Sequence, residues 1–255
     1  YEIEFARIAD RQGLSAELIW ESGVDAIRIW TRPSTSAFAP RIYLSAGIHG
    51  DEPCGPDALF RFLELHELSP SCEWVIAPVL NPSGLRRGTR ENRDGIDLNR
   101  DFFRQKSGEV RALIDWWESQ GRGCDLHLSL HEDWETSGLY LYEINTGGIG
   151  SLAEKILASI QEIVPLESSA LVDGHELNAP GLILHSPDPD EEDGWPEAIW
   201  LARKFPSLSI TFEAAGRIPR GYRTAGLVTA LVAAVEEAEA LAADTDRWQW
   251  PDVVQ

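Results

Sequence analysis

Two side chains three positions apart, His49 and Glu52, are the first in the chain whose types and spacing suit metal chemistry. An imidazole nitrogen and a carboxylate oxygen are both ordinary zinc donors. Gly47 and Gly50 flank the histidine and let the backbone turn tightly enough for both donors to reach one point. The pair alone also fits a surface histidine just before a helix, where Asp51 and Glu52 would suit the helix dipole.

A catalytic zinc needs a third protein ligand and an open position. The strand-like stretch 125–131 alternates Leu126, Leu128 and Leu130 with His127, Ser129 and His131. Its two histidines share a face but lie roughly 13 Å apart at strand rise, so one ion cannot take both. His131 ends the strand, where a site would form, and is the favoured ligand. His127 is deeper and reads as a packed, hydrogen-bonded histidine. Glu132 and Asp133 are expected to begin a loop.

Glu213 closes another apolar strand and runs into Ala214, Ala215 and Gly216. That placement suits a general base for a metal-activated water, and equally an ordinary strand-end glutamate. Residues 81–102 carry five arginines in a chain short of positive charge: Arg86, Arg87, Arg90, Arg93 and Arg100. Such a cluster suggests a bound anion, since arginine grips a carboxylate through two parallel hydrogen bonds and asparagine can add a third. The alternative is a solvated loop paired with Glu91, Asp94 and Asp97, and Arg86 and Arg93 are assigned to that role.

The elements that must position these groups alternate. Residues 26–30, 41–46, 74–80, 125–131, 138–144 and 207–213 read as strands. Residues 56–66, 108–120, 151–163, 195–204 and 224–242 read as helices. Strands interleaved with helices imply an α/β domain with helices on both sheet faces, its site at the carboxyl ends of the strands. Loops are expected at 47–56, 81–99, 173–180 and 186–194. The chain is expected to form one domain over 1–255, with residues 245–255 lying across the surface.

Composition narrows the partners. With 42 acidic and 22 basic side chains the 255-residue chain carries a net charge of −20, which repels nucleic acid and anionic membranes. Three cysteines without a CxxC pair make a disulfide framework unexpected and point to a reducing, cytoplasmic compartment. There is no apolar window long enough to span a membrane. Oligomeric state stays open.

Taken together the segments resemble the zinc carboxypeptidases, the M14 metallopeptidases. The resemblance rests on Gly47-Ile48-His49-Gly50-Asp51-Glu52, Asn81-Pro82-Ser83-Gly84, Gly88-Thr89-Arg90, Asp97-Leu98-Asn99-Arg100-Asp101-Phe102, Ser129-Leu130-His131 and Thr211-Phe212-Glu213, in family order. It implies that His49, Glu52 and His131 hold one zinc ion, that Arg90 stabilises the oxyanion, that Asn99 and Arg100 bind a terminal carboxylate, and that Glu213 is the general base and acid. The implied fold is a mixed, mainly parallel eight-stranded sheet with helices on both faces. The implied activity is hydrolysis of an amide bond beside a free carboxylate, in a peptide or a small amide.

Length and loops resemble the murein-peptide amidases of that family. A deacylase of N-acyl amino acids, similar to the succinylglutamate desuccinylase and aspartoacylase branch, is the alternative. A non-catalytic binding protein on the same scaffold is a third reading, disfavoured because every ligand and the glutamate are present. One departure is plain: no tyrosine stands between Tyr142 and Tyr222 to cap the substrate. The acidic stretch 185–194 occupies that region, either as a lid favouring an amino-bearing substrate or as a solvated loop.

Overall fold

The computed structural model describes residues 2–35 and 39–243. Their apolar segments form one mixed sheet of eight strands, ordered β1-β2-β4-β3-β5-β10-β6-β9. The strands are β1 (Ser15–Ser22), β2 (Asp25–Arg32), β3 (Arg41–Ala46), β4 (Glu73–Ala77), β5 (Leu126–Asp133), β6 (Tyr140–Asn145), β9 (Leu182–Leu184) and β10 (Leu208–Ala215). Two short strands, β7 (Leu171–Val172) and β8 (His175–Glu176), pair as a separate hairpin.

The centre of the sheet is parallel: β4 with β3, β3 with β5, and β5 with β10. Four carboxyl ends therefore open on the same edge; the loops after β3 and β4 carry His49, Glu52, Arg90, Asn99 and Arg100, and the ends of β5 and β10 carry His131 and Glu213. β1 and β2 are antiparallel at one side, and β6 runs antiparallel to β10 at the other.

Alternation along β5 explains how the sheet is covered. Leu126, Leu128 and Leu130 join one core with Phe5, Leu59, Ile156 and Leu231. These come from helices α1 (Glu2–Arg11), α2 (Cys54–Leu65), α5 (Ala153–Ile160) and α7 (Arg220–Ala243). The opposite face meets α4 (Gly108–Ser119) and α6 (Glu197–Lys204), where Tyr43 and Val75 pack with Trp117 and Leu201. The described residues thus make a single α/β domain with helices on both faces, as the resemblance implied.

Several elements differ from the sequence reading. The first residues form α1, because Phe5, Ile8 and Ala9 lie one turn apart and bury against the core. β1 was not expected; it is an edge strand whose residues are all exposed or half-buried. Residues 82–87, read as loop, hold the short helix α3 (Pro82–Arg87). β5 runs on through Glu132 to Asp133, since β10 extends beside it to Ala215 and supplies the pairing. The stretch 173–180 contains β8 of the hairpin. Residues 245–255 lie outside the described residues.

Candidate active site

The loop after β3 is shaped by backbone before any side chain matters. Gly47 has φ +63°, a left-handed conformation that glycine adopts at little cost. Gly50 lies flat against α3: a Cβ there would stand 1.9 Å from the carbonyl carbon of Gly84 and 2.2 Å from the nitrogen of Leu85. α3 is itself locked by Asn81, whose Oδ1 accepts from the Gly84 amide at 2.8 Å and whose Nδ2 donates to the Arg90 carbonyl at 3.1 Å. The Asn81–Gly84 motif thus holds the histidine loop with one hand and the Arg90 segment with the other.

On this frame His49, Glu52 and His131 converge, all buried. His49 Nδ1 is 2.6 Å from Glu52 Oε1, and His131 Nδ1 is 3.0 Å from Glu52 Oε2. Each carboxylate oxygen therefore faces one imidazole nitrogen. Burial opposes ionisation of Glu52, but the charges and hydrogen bonds of His131 and His49 outweigh it and bring the carboxyl down to about 2.

Outer partners orient these three candidate ligands. His49 Nε2 meets Asp97 Oδ1 at 3.2 Å, which leaves Nδ1 as the donor atom. The amide of Glu132 donates to Glu52 Oε2 at 3.1 Å. The Glu132 side chain, on the other face of β5, accepts from the Cys54 amide at 2.7 Å and pairs with Arg223. It thereby anchors the start of α2 beside the Glu52 loop. The two histidines and the carboxylate fit a divalent transition metal, with room for the open position a catalytic ion needs.

Glu213 lines the same cavity, of about 950 Å³, as do Arg90, Asn99 and Arg100. Burial is the main force on its carboxyl; His131 pulls downward and Glu52, Asp133 and Asp173 push upward, leaving it at about 8. Arg90 donates through Nε to Asp97 Oδ2 at 2.8 Å, and its Nη1 is 3.5 Å from Glu52 Oε1. Asn99 opens a 3-10 turn, Leu98–Arg100, capped by Asp97. Its Oδ1 accepts the Glu197 amide at 3.0 Å, so its NH2 is the half left to donate. Arg100 donates to the Asn99 carbonyl at 3.0 Å. All seven residues singled out in the sequence meet at this one cavity.

His127 lies below it, fully buried, with Nε2 3.0 Å from Ser45 Oγ and Nδ1 2.8 Å from Ser209 Oγ. Glu197 completes this buried network through Tyr43 at 2.7 Å and Ser45 at 2.8 Å. His127 is thus a packed histidine, as its depth in the strand implied. Arg86 and Arg93 are structural too, but both pair with the buried Asp25 rather than with Glu91, Asp94 or Asp97.

Three contributors carry no site role in the sequence analysis: Asp97, expected only as a loop partner of an arginine, Glu132 and Glu167. Asp97 sits two residues before Asn99, a spacing that signals a capped turn. The partners of Glu132 are distant in sequence and leave no local trace. Glu167 lines the cavity and accepts five hydrogen bonds, from the amides of Ser137, Gly138, Ser168 and Ser169 and from the Ser169 hydroxyl. In the acidic stretch Asp188 pairs with Arg203 and Asp193 with Arg104, while Asp190 and Glu191 reach the cavity.

Residues 39–163 match the catalytic domain of the succinylglutamate desuccinylase/aspartoacylase family. A carboxypeptidase of Arabidopsis thaliana, SOL1, is 29% identical over 111 residues, which is 35% of this chain and 23% of that protein. The matched segment thus spans under a quarter of that relative's length. Just under half of the chain thus resembles an M14-type catalytic domain, and a shorter stretch resembles a carboxypeptidase.

Solved structures share the fold of this chain. A metallopeptidase-like protein of Shewanella amazonensis superposes with TM-score 0.80 at 23% identity, covering 93% of this chain and 91% of its own. A metallo-carboxypeptidase of Burkholderia cenocepacia gives 0.67 at 18% identity over 96% and 68%. The carboxypeptidase A of Helicoverpa armigera gives 0.65 at 16% identity over 94% and 72%. No helix among the described residues is long and apolar enough to cross a membrane.

Proposed function

We propose that this chain is a zinc metallocarboxypeptidase, cutting the amide bond next to a free carboxylate at the end of a peptide. The observation that carries the reading is the meeting of His49, Glu52 and His131 with Glu213, Arg90, Asn99 and Arg100 on one cavity. His49 and His131 through Nδ1, with Glu52, would hold one zinc ion, which when bound polarises the scissile carbonyl and acidifies water.

Glu213 takes a proton from the attacking water and returns it to the leaving amine. A carboxyl that burial holds near neutral suits both transfers. Arg90, charged and held by Asp97, faces the oxygen that gains negative charge. Asn99 and Arg100 fix the substrate carboxylate, so that only a terminal residue is set correctly for attack. The strongly acidic chain takes neither nucleic acid nor membrane as partner in this reading. A cytoplasmic setting accords with three free, buried cysteines.

A second reading, deacylation of N-acyl amino acids, is favoured by the 39–163 match to the desuccinylase/aspartoacylase catalytic domain. Both reactions use the same ligands and the same carboxylate grip, and differ in what lies across the bond. Purified protein supplied with zinc, beside its Glu213→Gln variant, would be run on a peptide library and on N-acyl amino acids. Release of C-terminal residues by the parent only supports the peptidase. Acyl release without peptide cleavage moves the assignment to the deacylase.

A further inference from the structure

Across the cavity from β5 and β10, a second set of metal donors comes from residues the reaction does not use. His175 of β8, His185 after β9 and Asp190 in the acidic stretch bring one donor atom each within 4.8 Å of one another. His175 Nε2 is 3.4 Å from Asp190 Oδ2, and His185 Nε2 is 3.4 Å from Asp190 Oδ1. The two rings stand 4.9 Å apart at 69°, and each meets the Tyr142 ring edge-on.

Two details argue for an ion between these groups. Direct N–H···O bonds close to about 2.7–3.2 Å, so 3.4 Å is long for a hydrogen bond. It is instead close to the edge of a tetrahedron about an ion with bonds of about 2.0–2.1 Å, which is about 3.3–3.4 Å. The second detail is the tautomer of His185. Its Nδ1 lies 2.5 Å from the Ser186 carbonyl and donates to it, so that the nitrogen facing the Asp190 carboxylate is Nε2, which in the neutral ring offers a lone pair. An imidazole anchored to backbone through one nitrogen, with the other turned to a carboxylate, is the usual arrangement of a metal-binding histidine.

We infer that His175, His185 and Asp190 form a second divalent-cation site on the wall of the active-site cavity, suited by its two imidazoles and one carboxylate to zinc or another late first-row ion. The ion ties the β7–β8 hairpin to the 185–194 segment, two stretches joined by no disulfide among the described residues. Asp190 is largely exposed, so the ion exchanges directly with solvent. The inference does not depend on the reaction assigned to the first site.

The test counts ions. Chelator-stripped protein is titrated with cobalt(II), read by its visible absorption, and with zinc, read by elemental analysis after gel filtration. Two equivalents are expected for the parent, one for the His185→Gln/Asp190→Asn double variant, and one for Glu52→Gln. The single ion kept by the double variant also certifies that it is folded. A double variant that binds as many ions as the parent overturns the inference, whatever the Glu52→Gln protein does. A Glu52→Gln protein that matches the parent instead overturns the first site alone.

Discussion

Glu213 and His131 stand directly opposite each other on the adjacent parallel strands β10 and β5. The sheet register thus sets the proposed general base beside the proposed third ligand, without help from a loop. A one-residue slip of either strand would turn one of the two to the wrong face. Glu213→Gln keeps the shape and removes the base. It is expected to retain metal, leave the melting temperature within a few degrees, and lower kcat by about 10²–10⁴-fold. Single-turnover kinetics beside a metal assay would check both halves; loss of metal with activity would assign Glu213 to the ligand set instead.

Asn99 should act in binding. Its carbonyl is committed to the Glu197 amide, which leaves the NH2 for the substrate carboxylate. Asn99→Ala removes one hydrogen bond to a charged group, worth about 1.5–3 kcal/mol, so kcat/KM should fall about 10–100-fold. The same substrate with its terminal carboxylate amidated should be cleaved poorly by both proteins and equally so. A variant that discriminates between acid and amide as well as the parent does would exclude this role.

Removing the metal should leave the fold standing. Without an ion, Glu52 keeps two imidazole partners and stays ionised down to about 2. Chelated protein should show an unchanged far-UV circular dichroism spectrum and a lower melting temperature, rising as zinc is added back in proportion to the logarithm of its free concentration. Loss of secondary structure on chelation would make the ion structural rather than catalytic.

Glu167 predicts a pH dependence of stability. Burial works against its ionisation, but the Ser169 hydroxyl and the amides of Ser169, Ser137 and Gly138 bring the carboxyl from an ordinary 4.5 to about 2. The folded state therefore prefers the ionised form. That contribution is complete above pH 4.5 and is lost as pH falls from there to about 2. Glu167→Gln should destabilise by about 2–3 kcal/mol near neutrality and by much less near pH 2. Urea unfolding at several pH values measures the difference; equal loss at both ends would remove the carboxylate from the explanation.

Gly50 tests the backbone frame. Gly50→Ala places a methyl against main-chain atoms of Gly84 and Leu85, which cannot swing aside as a side chain would. A loss of about 3 kcal/mol or more is expected, together with weakened metal binding. Thermal melts and zinc competition would read the two effects; a well-folded variant of parental affinity would show that the loop position does not depend on this contact.

The convergence of the candidate residues was legible in the sequence because they cluster in short segments at strand ends. His49 with Glu52, and Asn99 with Arg100, are local pairs. Spacing along 125–131 showed that His127 and His131 cannot share one ion, and the strand-end position and the resemblance favoured His131. The supporting shell was not legible. Glu132 meets Cys54 and Arg223 across 78 and 91 residues, and Asp25 meets Arg86 and Arg93 across 61 and 68. Among the elements, buried strands announced themselves by composition, whereas β1 is mostly solvated and β9 has three residues. α1 was obscured because its charged residues surround a narrow apolar stripe.

The contact of Gly50 with Gly84 brings two main chains together with no side chain between them. The ligand loop and the turn leading to Arg90 therefore behave as one mechanical part. An engineer seeking a new substrate could not graft either segment from another enzyme by itself; the two would have to travel as a cassette. Variation for specificity is left to the far wall, around β7, β8 and the acidic stretch, where the chain can change without moving His49 or Arg90.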